Sequence, residues 1–147
     1  MKSVWDPAVR QDLAARLQRL SPELTPAWGR FTAPQMLAHV VDALGMAFGD
    51  VPTKSKRLPL RHPPLKQLVI YWLPFPRNAP TATELISRVP ASWDGEVGSC
   101  RTLIERFARE PRARTWPEHP AFGPLDARQW GILAYRHTDH HFRQFGV

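Results

Sequence analysis

Cysteine is almost missing from this sequence: Cys100 is the only one. A lone cysteine excludes an intramolecular disulfide framework and a multi-cysteine zinc site. Long apolar runs are missing too. No stretch reaches the ~18 uninterrupted apolar residues of a spanning helix, so no membrane partner is expected. The opening MKSVWDPAVRQDL lacks the apolar centre of a secretory signal. Acidic residues are scarce, 13 against 20 basic ones, which leaves a net charge of +7 with histidine neutral. That balance favours solubility and some affinity for polyanions, but carries no information on fold. At 43% apolar residues the chain is not composed like a disordered one. These features lead us to expect one soluble cytoplasmic domain spanning residues 1–147, large enough to bury a core.

Proline, by contrast, is abundant: 16 residues, about twice the usual share. All but Pro7 cluster at 22–34, 52–90 and 111–124. Inside a helix, proline removes a hydrogen bond and clashes with the preceding turn. The clusters therefore divide the chain into helices and connectors.

Four helical stretches remain. The first spans about 6–20, with Asp6 as N-cap, Pro7 in the first turn, and Val9, Leu13, Leu17 and Leu20 on one face. Arg10 and Arg16 fall elsewhere on that wheel. The second spans about 32–47. Thr32 and Gln35 fit a capping box, and Met36, Val40, Ala43 and Ala47 form a stripe closed by Gly49. The third spans about 93–109, with Val97, Cys100, Leu103, Ile104 and Phe107 inward and Pro111 as the stop. The fourth spans about 126–145. Asp126 and Gln129 repeat the capping-box pattern, and Trp130, Leu133, Ala134, Phe142 and Phe145 lie near one face.

Residues 51–92 are too many for a plain loop. Residues 64–73 (PLKQLVIYWL) read as a short extra helix, with a strand as the alternative because Val69, Ile70, Tyr71 and Trp72 favour extended structure. Residues 83–89 could add another turn. The expected fold is all-α: a four-helix bundle with a long crossover between its second and third helices.

The histidines are unevenly placed. His137 and His141 are four residues apart in YRHTDHHFRQF, so they share one helical face. His140 sits about 100° around the helix from His141 and is a poorer partner. Two imidazoles one turn apart can bind a divalent ion, but weakly, and a third ligand must come from elsewhere. His39 interrupts the apolar stripe of the second helix and is the best candidate. Three such ligands leave a coordination position for water or substrate, as catalytic sites do. The plainer reading is that these are hydrogen-bonded core histidines without metal. Spacing by itself does not decide between the two.

QMLAHV in the second helix, followed by HPAFGPLDARQWGILAYRHTDHHFRQFG, resembles the DinB/YfiT-like superfamily, and more narrowly an uncharacterised bacterial branch of it. HHFRQ is similar to the HHRGQ ending common in those proteins. The resemblance implies a four-helix-bundle metalloenzyme. Its metal triad takes one histidine from the second helix and an HxxxH pair from the last, here His39, His137 and His141. It further implies a divalent ion, Zn²⁺ or Ni²⁺ ahead of Fe²⁺ or Mn²⁺. The implied substrate is a small molecule, with a low-molecular-weight thiol such as mycothiol or bacillithiol as co-substrate. Pairing into a homodimer is also implied, although no stretch marks an interface.

The HExxH pattern of zinc hydrolases is absent, since position 138 is Thr. A base or supporting group would come from Asp42, Asp139 or Gln144, or from the metal's own activated water. Asp42 follows His39 by three residues and could approach the site. Asp139 lies off the ligand face, where a salt bridge to Arg136 or Arg143 is the plainer reading.

Other features point less far. KSKRLPLRHPPLK carries five basic residues within 54–66, but no nucleic-acid motif accompanies it. A solvated loop is the preferred reading, and nucleic acid is not an expected partner. His62 and His119 sit beside prolines and read as structural or exposed. Trp5 and Trp130 fit helix stripes and belong in a core. Trp28, Trp72, Trp93 and Trp116 lie near helix ends and are candidates for a pocket mouth. Cys100 fits a core position, with no activating base beside it.

Three functions follow in order of preference. The first is a metal-dependent enzyme, a thiol-dependent S-transferase by resemblance or a metal-assisted hydrolase. The second is a non-catalytic bundle that binds a small ligand or a partner helix with metal-free histidines. The third is a nucleic-acid-binding protein.

Overall fold

The computed structural model describes residues 1–77, 85 and 88–147. It is all-helical, with no strand among the described residues; one isolated bridge joins His119 and Gly123. The helices are α1 (Pro7–Leu17), α2 (Ala33–Phe48), α3 (Leu65–Gln67), α4 (Trp93–Arg109) and α5 (Ala127–Gln144). A 3₁₀ turn at Pro59–Arg61 precedes α3, and a π-helical turn at Leu68–Trp72 continues it. The segment at 64–73 is therefore helical rather than extended. Most of the turn expected over 83–89 lies outside the described residues.

Local chemistry explains where the long helices begin. The Asp6 carboxylate accepts from the Ala8 N–H at 2.9 Å, ahead of Pro7. Thr32 and Gln35 form the full capping box, as do Asp126 and Gln129. Each box satisfies two backbone N–H groups that a helix start otherwise leaves orphaned. Ser92 caps α4 through the Gly95 N–H.

The four long helices share one hydrophobic core. Helix α2 packs against α4 and α5, and α1 packs against the same two. As a result α2 is buried on nearly every side, not only along Met36, Val40 and Ala47. A helix that apolar around its circumference is stable only when enclosed. Trp130, Phe107 and Phe142 are the largest fully buried side chains.

Two arginines depart from the wheel reading. Arg10 and Arg16 are buried on α1. Their aliphatic stems line the core while their charged ends find partners. Arg10 donates to the Val4 carbonyl at 2.9 Å and to Glu105 at 3.3 Å. Arg16 donates to Asp139 at 2.7 Å and to the Val147 carbonyl at 3.0 Å. A helical wheel weighs charge and cannot see such partners.

Trp5 lies ahead of α1, yet packs edge-on against Phe107 and Trp116. Trp116 is buried in that aromatic group, not at a pocket mouth. The core admits Trp5 because position 131 is glycine. A Cβ there would lie 2.2 Å from Trp5 Cδ1. Cys100 is fully buried, which pushes its thiol up to about 12 and keeps it unreactive.

Candidate metal centre

Helix α2 carries His39 to the face of α5 that holds His137 and His141. The three ring centroids form a nearly equilateral triangle, with sides of 4.9, 4.8 and 4.7 Å. One ligand nitrogen from each ring lies within 4.8 Å of the others. His39 Nε2 and His137 Nε2 are 3.0 Å apart. Two nitrogens bound to one tetrahedral ion at ~2.0–2.1 Å sit about 3.3 Å apart, so only a small opening is needed.

The tautomers are set from outside the triangle. His39 Nδ1 lies 3.0 Å from the Leu85 carbonyl, which can only accept, so the proton sits on Nδ1 and Nε2 keeps its lone pair. His141 Nδ1 lies 2.9 Å from Gln144 Oε1. The Gln144 amide is itself oriented, because its Nε2 donates to the Trp28 carbonyl at 2.6 Å. Its Oε1 must therefore accept the Nδ1–H of His141, which leaves the Nε2 lone pair of that ring for the centre. Gly29 makes room for this bond. It holds φ +83°, and a Cβ there would lie 2.6 Å from Gln144 Nε2. Carbonyl and amide groups that take the second N–H of a histidine are the usual supports of metal ligands.

The imidazoles are held neutral. Burial lowers His39, with the Leu85 hydrogen bond opposing it in part. Burial, then the neighbouring imidazoles, hold His137 well below its ordinary 6.5. That ring keeps an edge at the surface, but protein surrounds the rest of it. His141 is lowered to about 3, first by burial and then by His39. Neutral imidazole is the ligating form.

None of the three suggested helper residues is a free base. Asp42 accepts from Arg88 Nε at 2.9 and 3.1 Å. Arg88 also donates to Glu96 at 2.5 and 2.9 Å and to the Ala38 carbonyl at 3.2 Å. Burial raises Asp42 and Arg88 opposes the rise, while the hydrogen bonds from Arg88 lower Glu96. Asp139 is engaged by Arg16, with Arg143 more distant at 3.8 Å. Gln144 supports His141. Thr138 is fully buried, and its hydroxyl has no partner among the described residues. The described metal-ligating cluster consists of the three histidines without a carboxylate.

Sequence reasoning missed the Leu85 carbonyl and Arg88. A backbone acceptor leaves no trace in residue identity, and Arg88 stands in a stretch with no periodicity. His140 stands outside the triad, between Trp28 and Phe75, with ring centroids 5.7 and 6.0 Å away. His119 accepts from the Ala121 and Phe122 N–H groups and is structural, as expected; burial lowers it to about 3. His62 is exposed.

Aromatic rings border the triad. Phe31 lies 5.4 Å from His39 and 6.1 Å from His141, and Phe75 lies 6.5 Å from His137. A cavity of about 330 Å³ opens beside His39, lined by Phe31, Ala38, Asp42, Leu85 and Arg88. That is the size of a small-ligand site. A larger cavity of about 550 Å³ borders Trp5 and Ala127 at the other end of α5, away from the histidines.

No family model, curated protein or solved structure matches the chain. The site is therefore interpreted from its own chemistry.

Proposed function

We propose that the chain is a metal-dependent enzyme with the architecture of a DinB-like four-helix bundle, its divalent ion held by His39, His137 and His141. One observation supports this above the others. Three neutral imidazoles converge from two helices, and two of them have their outer N–H groups committed elsewhere. The donor set fits a borderline ion, Zn²⁺ or Ni²⁺ ahead of Fe²⁺ or Mn²⁺, because three nitrogens without a carboxylate suit these ions better than Mg²⁺ or Ca²⁺. Such an ion, when bound, lowers the pKa of a coordinated thiol or water and polarises an electrophile.

The protein's own groups then favour one reaction class. Leu85 and Gln144 orient two ligands. Phe31 and Phe75 cover the triad with apolar surface. The cavity beside His39 admits a small molecule. With Asp42 and Asp139 both engaged by arginines, no described carboxylate is placed to take a proton. That favours a nucleophile that ionises readily. A thiol, with an ordinary pKa of about 8.5, asks less of the site than water at 15.7. Transfer to or from a low-molecular-weight thiol is therefore preferred over hydrolysis.

The 3.0 Å approach of His39 Nε2 to His137 Nε2 supports a second reading. A proton on His137 Nε2 would let the two rings hydrogen-bond directly, in a metal-free binding bundle. Elemental analysis of purified, untagged protein separates the two. Near-stoichiometric metal that is lost in His39→Ala and His137→Ala is the expected result. No metal, even after reconstitution with Zn²⁺, Ni²⁺, Fe²⁺ and Mn²⁺, would overturn the enzyme reading.

A further inference from the structure

The excess positive charge of the chain is concentrated in one segment. Residues 51–83 contain six basic residues and no Asp or Glu, whereas the rest of the chain holds fourteen basic and thirteen acidic residues. The large apolar side chains that remain exposed gather in the same segment. Leu58 is 37% exposed, Leu65 44%, Leu68 40%, Trp72 74% and Leu73 47%. Among the described residues only Met1 and Val89 join them as large exposed apolar groups.

This face is held outward by what lies behind it. Ile70 is fully buried, and Val69 and Tyr71 pack against the core. Arg136 of α5 donates to the carbonyls of Val69, Ile70 and Leu73. Lys66 donates to the Pro124 carbonyl. Leu65, Leu68 and Trp72 recur at spacings of three and four, so they share the outer side of α3 and the π turn that follows. Arg57, in the same segment, is exposed, and Arg128 reaches over the Tyr71 ring at 5.7 Å. Some charge is already met: Arg61 pairs with Glu118 at 2.8 Å, and Asp126 and Glu118 act on Lys66.

We infer that this face docks on an anionic lipid surface, with Leu65, Leu68, Trp72 and Leu73 entering the interface and basic groups of the same segment facing lipid phosphates. The occupant must be acidic and must also accept aliphatic and indole side chains. A bilayer of anionic lipids meets both demands. A second copy of this chain does not, because a two-fold interface would set this basic segment against itself. A nucleic acid would satisfy the charges but leave Leu65, Leu68 and Leu73 in water. The inference reverses the expectation of no membrane partner, which rested on the lack of a spanning run. It stands whether or not the histidines hold a metal.

The test is co-sedimentation of the purified full chain with vesicles of phosphatidylcholine alone, and of two parts phosphatidylcholine to one part phosphatidylglycerol. The expected result is binding to the mixed vesicles only. That binding should be lost when the Debye length shrinks from about 10 Å at 0.1 M salt to about 3 Å at 1 M. Leu68→Ser/Trp72→Ser should weaken it roughly tenfold or more, as should Lys56→Glu/Arg57→Glu. These side chains lie on or near the surface, so thermal unfolding of both variants should match the parent. Three results would each overturn the inference: no sedimentation, equal binding to both vesicles, or double variants that bind like the parent. So would a dimer abolished by Leu68→Ser/Trp72→Ser, or retention of an oligonucleotide or acidic protein, in a chain that ignores the vesicles.

Discussion

His39 Nε2 and His137 Nε2 face each other at 3.0 Å across the gap between α2 and α5. Two lone pairs cannot stay that close with nothing between them. Either a proton or a metal ion must be shared. The Leu85 carbonyl already holds the proton of His39 on Nδ1, so a proton in the gap must belong to His137. Replacing that proton with an ion exchanges one hydrogen bond for three coordinate bonds. Because His137 is held neutral, metal uptake should move that proton from Nε2 to Nδ1, and imidazole ¹⁵N NMR of the metal-free and Zn²⁺-loaded protein would show the change of tautomer.

The metal-free protein should weaken as the pH falls. His141 is held at about 3, against an ordinary 6.5. Below 6.5 the unfolded chain takes up a proton that the folded chain refuses. Stability is therefore full above 6.5 and declines as the pH drops towards 3, by about 1.4 kcal/mol per pH unit for each such group. His39 and His137 are lowered in the same sense. Urea unfolding of metal-free protein at about pH 7.5 and about pH 5.5 should show the decline. His141→Asn should make it shallower.

Gln144 should matter to metal affinity without being a ligand. Gln144→Leu removes the acceptor for His141 Nδ1–H and the donor to the Trp28 carbonyl. Loss of such a support usually costs about 10- to 100-fold in affinity. Competition with a chromophoric chelator would measure it. A Kd unchanged from the parent would remove Gln144 from the site.

Arg88 joins Asp42 of α2 to Glu96 of α4 three residues after Leu85. Arg88→Met would leave two buried carboxylates facing each other without a cation. The full penalty for breaking a buried pair does not apply, because Arg88 is about one-third exposed. A loss of about 2 kcal/mol is expected by denaturant unfolding. Metal affinity should fall with it, since Arg88 anchors the chain three residues after the Leu85 carbonyl that supports His39.

Gly131→Ala should destabilise, although alanine ordinarily gains about 0.8–1.0 kcal/mol over glycine inside a helix. The new methyl would meet Trp5 at 2.2 Å and push the indole off Phe107 and Trp116. A net loss of about 1–3 kcal/mol is expected, read as a lower melting temperature with less buried tryptophan fluorescence.

The local features follow from residue identity. Asp6, Thr32 and Asp126 start three of the long helices where their side chains reach the orphaned N–H groups of a first turn. The prolines mark the connectors. The spacing of His137 and His141 puts them on one face, because a helix turns once in about 3.6 residues. Each of these facts depends on neighbours a few positions away, so residue identity is enough. What joins distant parts of the chain was decided by packing. Only the tertiary structure brings His39 against His137, sets the Leu85 carbonyl behind it, buries Arg10 and Arg16 with their partners, and turns Asp42 and Asp139 to arginines. It also leaves Leu65, Leu68 and Trp72 outside, although their residue types suit a core equally well. A side chain's charge or apolarity sets what it needs, and the fold determines which distant group supplies it.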